Sequence, residues 1–241
     1  MKWTIVTGDS GGLGGSIAET LLENESRGVI GISRKSNDRV LALTAKYGDR
    51  YVHLDYDLSD PAGIKELYRR SVRSIGPLSG LVNNSATAYD EIVTNADPET
   101  LARMYNINAL SPIMLTKYAL RDMLLHRTKG SIVFISSVSA HTGYKGLSMY
   151  ASTKGALEAF SRGVAREWGG QGIRSNCVSP GFMETAMSES LPDDLRDKIY
   201  RRTSLGGPTA VDSVARTVAY LLSEQAAAIT GTTVRVDNGS L

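Results

Sequence analysis

TIVTGDSGGLG, residues 4–14, runs from a short β-branched stretch directly into a turn holding four glycines. A strand followed at once by such a turn and then by a helix presents backbone N–H groups, and the positive end of the helix, to a pyrophosphate. Gly8 allows the tight turn, while Gly12 and Gly14 allow close approach of the phosphates and of the helix to the sheet. Ser10 and Leu13 complete the candidate cradle. Glycine turns also serve as plain strand-to-helix connections, so the reading depends on what lies around this one.

Outward from that stretch, short apolar runs alternate with longer segments of helical periodicity. After TIVTG (4–8) come GVIGIS (28–33), RYVHLDY (50–56), LSGLVNN (78–84), GSIVFISS (130–137), IRSNCVS (173–179) and TTVRVD (232–237). Runs apolar on both faces suit parallel strands covered on each side, and the intervening helices complete βαβ units. Helices are expected at about 13–24, 37–47, 61–75, 98–126, 149–169 and 210–224, with Pro112 bending the fourth. The expected fold is therefore α/β: a doubly wound parallel sheet of about seven strands in a single domain spanning residues 1–241. Residues 183–207, rich in charge and carrying Pro192, follow a strand end and are the candidate substrate lid.

Composition narrows the function classes. Of 241 residues, 41% are hydrophobic and 22% charged, enough to bury a substantial core. The 27 basic and 25 acidic residues leave a net charge of +2, spread without a basic block, so neither nucleic acid nor membrane is an expected partner. Cys177 is the only cysteine, which precludes an internal disulfide and the usual thiolate zinc cluster; no metal is expected. MKWTIVTG has no secretory leader pattern, and no apolar run reaches the roughly 20 residues of a membrane helix. The expected location is the cytoplasm.

About twenty residues past the glycine turn, the second strand delivers side chains to an adenosine ribose, an acid there suiting NAD and a guanidinium the 2′-phosphate of NADP. Ser33, Arg34 and Lys35 stand at that point with no carboxylate among them, so NADP is favoured over NAD. Asp57 and Leu58 are candidates to bracket the adenine by hydrogen bond and apolar contact, and Asn84 ends the fourth strand beside the cofactor. An Asp-Leu-Ser-Asp turn capping the next helix and amides bonding nearby backbone explain the same residues without a ligand.

Tyr150 and Lys154 lie four apart on a helix and so share a face. Ser137 ends the preceding strand, at the edge where such sheets hold ligands, and Asn108 lies on an earlier helix. Hydride delivered to a ketone leaves an alkoxide that must be protonated and stabilised as it forms. A phenol is nearly inert at its free pKa of about 10. An ammonium about 4 Å away, contributing on the order of 4 kcal/mol at an effective dielectric of 20, is expected to bring it down by about one to three units. Ser137 then donates to the developing oxyanion. Ala151, Ser152 and Thr153 read as clearance beside a cofactor. Alone, a Tyr and Lys at this spacing also fit an ordinary amphipathic face.

Together these motifs resemble the short-chain dehydrogenase/reductase family over nearly the whole chain. TGDSGGLG (7–14) matches TGxxxGxG, and YASTK (150–154) matches YxxxK with Ser137 thirteen residues upstream. The resemblance implies the Rossmann-like fold and a tetrad of Asn108, Ser137, Tyr150 and Lys154. Tyr150 would be the acid/base, Lys154 would also hold the nicotinamide ribose, and Asn108 would position a water that relays protons. PGFMET (180–185) resembles the segment whose Pro180, Gly181, Met183 and Thr185 engage the nicotinamide carboxamide. Two departures stand out: NNSA at 83–86 in place of NNAG, and Asp9-Ser10-Gly11 in a turn where NADP-preferring members often carry a basic residue.

The C-terminal third is most like 3-oxoacyl-acyl carrier protein reductases. That resemblance implies NADPH-dependent reduction of a β-keto thioester, as in fatty acid biosynthesis. An acidic carrier protein would dock near Arg127, Lys129, Arg201 and Arg202, although Gln171 stands where that subgroup can present arginine. A homotetramer or homodimer would pair the helices at 98–126 and 149–169 and the last strand. A reductase or dehydrogenase of a sugar, polyol or other secondary alcohol, and a catalytically silent NADP-binding protein, are the competing readings. Cys177, Met114, Met123 and Leu124 are expected in the core, and His141 reads as a loop histidine with no role, with a place in the substrate pocket as the alternative.

Overall fold

The computed structural model describes residues 1–185 and 192–240. Seven strands form one parallel sheet: β1 (Lys2–Thr7), β2 (Arg27–Ser33), β3 (Tyr51–Asp55), β4 (Leu78–Asn83), β5 (Ser131–Ile135), β6 (Arg174–Pro180) and β7 (Thr233–Val236). Their order is β3-β2-β1-β4-β5-β6-β7, every pair parallel. This is the doubly wound sheet expected from the alternating pattern. The chain reverses direction across the sheet between β1 and β4, so a crevice opens at their carboxyl ends.

Side-chain alternation explains why the sheet is covered twice. Ile5, Ile30, Ile32, Leu81 and Phe134 point into one core, while Val6, Val29, Val82, Val133 and Val178 point into the other. Helices α1 (Gly12–Leu22), α2 (Asp38–Tyr47) and α8 (Val211–Leu221) supply buried residues to the second core. The first is packed by α3 (Ile64–Leu67), α5 (Ser111–Leu125) and α6 (Ser148–Trp168). Cys177 and Met123 are buried as expected, and Met114 and Leu124 pack partly buried against the same cluster.

Two expected helices differ in form. The segment at 61–75 is α3 followed by a π-helical turn, Tyr68–Val72. The segment at 98–126 divides into α4 (Pro98–Tyr105), a second π-turn (Asn106–Leu110) and α5. Pro112 sits in the first turn of α5, where a missing N–H is tolerated. Its N–H would have bonded the Asn108 carbonyl four residues back, so that carbonyl lacks its α-helical donor. Within the expected lid, α7 (Asp193–Tyr200) follows Pro192; the part of that expectation falling on 186–191 lies outside the described residues.

Candidate functional site

The carboxyl ends of β1, β4, β5 and β6 bring the predicted residues to one edge. Gly8 has a φ of +74°, a conformation that side chains rarely adopt. A Cβ at Gly14 would overlap the Gly8 carbonyl, so the turn closes against the start of α1 only because both positions are bare. Gly11, at the cap of α1, makes no side-chain hydrogen bond to the first turn, and Gly12 is exposed. These are the features a pyrophosphate needs: open backbone N–H groups at a helix N-terminus and space to approach them. Leu13 instead points inward and is 7% exposed.

Asn84 acts on this turn. Its amide donates to the Thr7 carbonyl at 2.8 Å, while the Thr7 hydroxyl accepts from the backbone N–H groups of Asn84 and Ser85, each at 2.9 Å. The end of β4 thereby braces the end of β1 across the crevice. Ala86 has no positive φ, so the glycine missing from NNSA is not required by the backbone here.

At the ribose end, Arg34 and Lys35 are exposed and Ser33 is 7% exposed. The Asn37 amide donates to the Ser10 carbonyl at 2.9 Å, which ties this loop to the glycine turn. Asp57 is exposed; it accepts from the Ser59 N–H at 2.8 Å, and that bond, with Arg103 and Arg34 nearby, holds its carboxyl below the ordinary range. The Leu58 side chain is a correction. It is 5% exposed within the first core and its carbonyl accepts from Ser111 at 2.6 Å, so it offers no apolar face to an adenine.

In the chemical constellation, α6 carries Tyr150 and Lys154 on one face, with the Lys154 Nζ 5.5 Å from the Tyr150 ring centre. Lys154 is 2% exposed and donates to the Ile135 carbonyl, the last of β5, at 2.8 Å. Burial pulls its pKa down to about 8, against a smaller upward pull from Cys177. Tyr150 moves the other way: burial pushes its phenol up to about 12, Ser137 pulls it down and Asp90 pushes it up. The expected downward shift is therefore overturned. Desolvation of the phenol is the largest cause and outweighs the hydrogen bond from Ser137.

Asn108 is fully buried, and its amide is wholly engaged. Its Oδ1 accepts from the Thr87 N–H at 2.8 Å, and its Nδ2 donates to the Thr87 carbonyl at 2.8 Å and the Thr153 hydroxyl at 3.1 Å. The side chain ties the loop at Thr87 to α6. Thr153 was missed as part of this network, although its place three residues after Tyr150 puts it near the same face of the helix. It is fully buried and Ser152 bonds Tyr105 at 2.7 Å, so neither is mere clearance.

On the opposite wall, Gly181 donates to the Val236 carbonyl at 2.9 Å and holds the end of β6 in place. A Cβ added at Gly12 would come within 3.8 Å of Thr185, so the PGFMET segment faces the glycine turn. Met183 packs partly buried against the second core. The Tyr200 hydroxyl of α7 donates to Glu184 at 2.6 Å, with Phe182 and Tyr200 ring centres 5.9 Å apart, so the described part of the candidate lid docks on that segment.

The pocket alternative for His141 and the docking role of Arg127 and Lys129 both fail on position. His141 turns toward α6, its Nε2 2.9 Å from Glu158, whose same oxygen accepts from Ser136 at 2.6 Å. It is a strut there and not a pocket wall. Arg127 and Lys129 follow α5 and precede the first residue of β5, the edge of the sheet opposite Ser137. Arg201 and Arg202 are exposed directly after α7.

Residues 8–240 match the family model described as enoyl-(acyl carrier protein) reductase. The 3-oxoacyl-acyl-carrier-protein reductase FabG of Escherichia coli (strain K12) is 34% identical over 238 residues, 99% of this chain and 96% of that protein. Carbonyl reductase (NADPH) 2 of Sus scrofa is 31% identical over 239 residues, 98% of this chain and 95% of the relative. Among solved structures, a 4-hydroxyisoleucine dehydrogenase complexed with NADH superposes with a TM-score of 0.92 at 25% identity, covering 100% of this chain and 98% of the other.

Proposed function

This chain belongs to the short-chain dehydrogenase/reductase family, and from that premise we propose that it is an NADPH-dependent reductase of a 3-oxoacyl thioester. The observation that carries the reading is the meeting of Tyr150, Lys154 and Ser137 beside the glycine turn, at one edge of the sheet. Bound nicotinamide would supply the hydride. Tyr150 gives its phenolic proton to the oxygen that becomes the alcohol, and Ser137 donates to the same oxygen as charge grows on it. Lys154 keeps positive charge under the phenol and returns a proton to it. Asn108 holds the loop at Thr87 against α6, and its backbone carbonyl is the group we assign to a relay water.

Gly8, Ser10, Gly12 and Gly14 would hold the pyrophosphate, Arg34 the 2′-phosphate, Asp57 the adenine, and Pro180, Gly181, Met183 and Thr185 the carboxamide. A phenol that keeps its proton throughout the neutral range suits the reductive direction. Similarity to FabG supports the thioester substrate, and the exposed Arg201 and Arg202 offer an acidic carrier protein a contact. The 4-hydroxyisoleucine dehydrogenase likeness supports a second reading, a small polar secondary alcohol or ketone.

The test is turnover of acetoacetyl-CoA and a panel of small ketones with NADPH and NADH, followed by loss of reduced-nicotinamide absorbance. Faster reduction of acetoacetyl-CoA with NADPH is expected. Silence on every substrate would overturn the enzymatic reading, and preference for NADH would remove the role given to Arg34. For assembly, an apolar groove lined by Ile113, Leu120, Leu124, Phe160, Val164 and Trp168 runs along α5 and α6, and we extend the proposal to a homodimer or homotetramer joined there.

A further inference from the structure

Beneath the glycine turn lies a charged cluster that the reaction does not use. The Asp9 carboxylate is fully buried. It lies over Gly31, where any Cβ would overlap it. Its Oδ2 accepts from the Tyr51 hydroxyl at 2.5 Å and meets the His53 Nδ1 at 2.6 Å, while its Oδ1 has no hydrogen-bond partner among the described residues. A buried carboxylate satisfied on one oxygen alone requires a positive neighbour. The other ring nitrogen of His53, Nε2, is 3.1 Å from Asp55 Oδ1, which also accepts from the Ser36 N–H at 3.1 Å. Carboxylate oxygens at both ring nitrogens are satisfied together only when both nitrogens carry protons.

We propose that His53, doubly protonated between Asp9 and Asp55, is a specificity-determining residue for the adenosine 2′-phosphate. Its charge cancels Asp55 beside the Ser33–Arg34–Lys35 turn and anchors that turn to the glycine loop. The inference rests on the NADPH reading above. Asp55 is 66% exposed and pairs with Ser33 in the sheet register, so without its imidazolium it is a free carboxylate next to a bound phosphate. When His53 loses a proton, the buried Asp9 retains the Nδ1–H. The Nε2 lone pair then faces Asp55, and the exposed end of the strap releases.

The groups around His53 are few. Asp9 faces it from the glycine turn, and Tyr51 and Asp55 from its own strand. Arg39 reaches in from α2, bonding Ser16 of α1 at 3.1 Å, and Arg34 and Lys35 lie at the exposed end. Burial and the bond to Asp9 push the Tyr51 phenol up, so it stays a donor to Asp9.

The test measures dissociation constants of NADPH and NADH by fluorescence from about pH 6 to about pH 9. In the wild type, the affinity ratio of NADPH to NADH falls about tenfold as pH rises. In His53→Gln the ratio is low and flat. In the conservative surface variant Asp55→Asn it is high and flat, which keeps the idea testable should the buried variant fold poorly. The 2′-phosphate loses its second proton near about pH 6 in every arm and so cancels between variants. A flat ratio in the wild type, or a fall that persists in Asp55→Asn, overturns the proposal. Arg34→Ala at the acid end reads the NADPH assignment separately: an unchanged ratio there sinks that assignment, while the pH slope still judges His53.

Discussion

Lys154 is an ammonium kept where water does not reach it, held by one carbonyl and facing one ring. Its lowered pKa, about 8, has a sign that can be worked out. Between about pH 8 and pH 10 the unfolded chain binds this proton and the folded one does not, so stability rises with pH by about 2 kcal/mol. Tyr150, raised to about 12, opposes this only above about pH 10, where its unfolded phenol begins to ionise. Denaturant titrations of the wild type and Lys154→Met should therefore differ in pH slope across that window, and parallel slopes would refute the buried charge. Tyr150→Phe removes the proton donor and little volume. It should lower turnover by about 10² to 10⁴ while leaving cofactor affinity nearly unchanged, and retained turnover would refute the acid assignment. The pair was legible from its spacing of four, because helical geometry is local. Its ionisation was not, because burial is set by β5 and the loop at Asp90, which no local pattern reports.

At the scale of elements, the glycine turn and the π-turn before α5 do the positioning. Gly14→Ala places a methyl against the Gly8 carbonyl and the Asn84 amide, and relief requires the turn to open. Titration should show NADPH affinity weakened at least about tenfold, with about 1–3 kcal/mol lost in denaturant unfolding. Asn108→Ala leaves the half-buried N–H and C=O of Thr87 without their partner, and a loss of about 1–2 kcal/mol is expected, since a fully buried orphaned group costs about 1–3 kcal/mol. Turnover should fall with it, as Thr153 and the neighbouring Lys154 lose their brace; wild-type stability would refute the network. Pro112 was read as a bend, and in the structure it falls in the first turn of α5, directly after the π-turn that carries Asn108. The division into α4 and α5 was not readable, because a π-turn keeps helical periodicity almost intact. Leu58 was misplaced for a related reason, since an apolar residue at a strand end suits a ligand and a core equally.

The whole molecule sets what reaches the crevice and what faces another copy. Strand alternation announced a parallel sheet, but its order, and therefore the reversal between β1 and β4, follows from long-range pairing. Counting from the start of β5 was enough to place Arg127 and Lys129 at the far edge, so that error lay in reading charge without direction. The groove on α5 and α6 is different in kind. It leaves Phe160 and Trp168 partly buried against the first core, with Ile113 and Leu124 beside them, in a surface that a second copy of the same two helices could cover. A two-fold contact meets each residue twice, so one substitution introduces two charges into the interface. Ile113→Lys adds an ammonium there without emptying the core, beside Lys117 and Arg121 and with only Glu167 of opposite charge in the groove, and a buried charge left without a partner costs about 3 kcal/mol or more at such a contact. Light scattering should show the assembly falling to half its mass or to single chains, with an unchanged far-ultraviolet spectrum and a thermal midpoint less dependent on protein concentration. An assembly of unchanged mass would move the interface off this groove, and a wild type that is already a single chain would remove it.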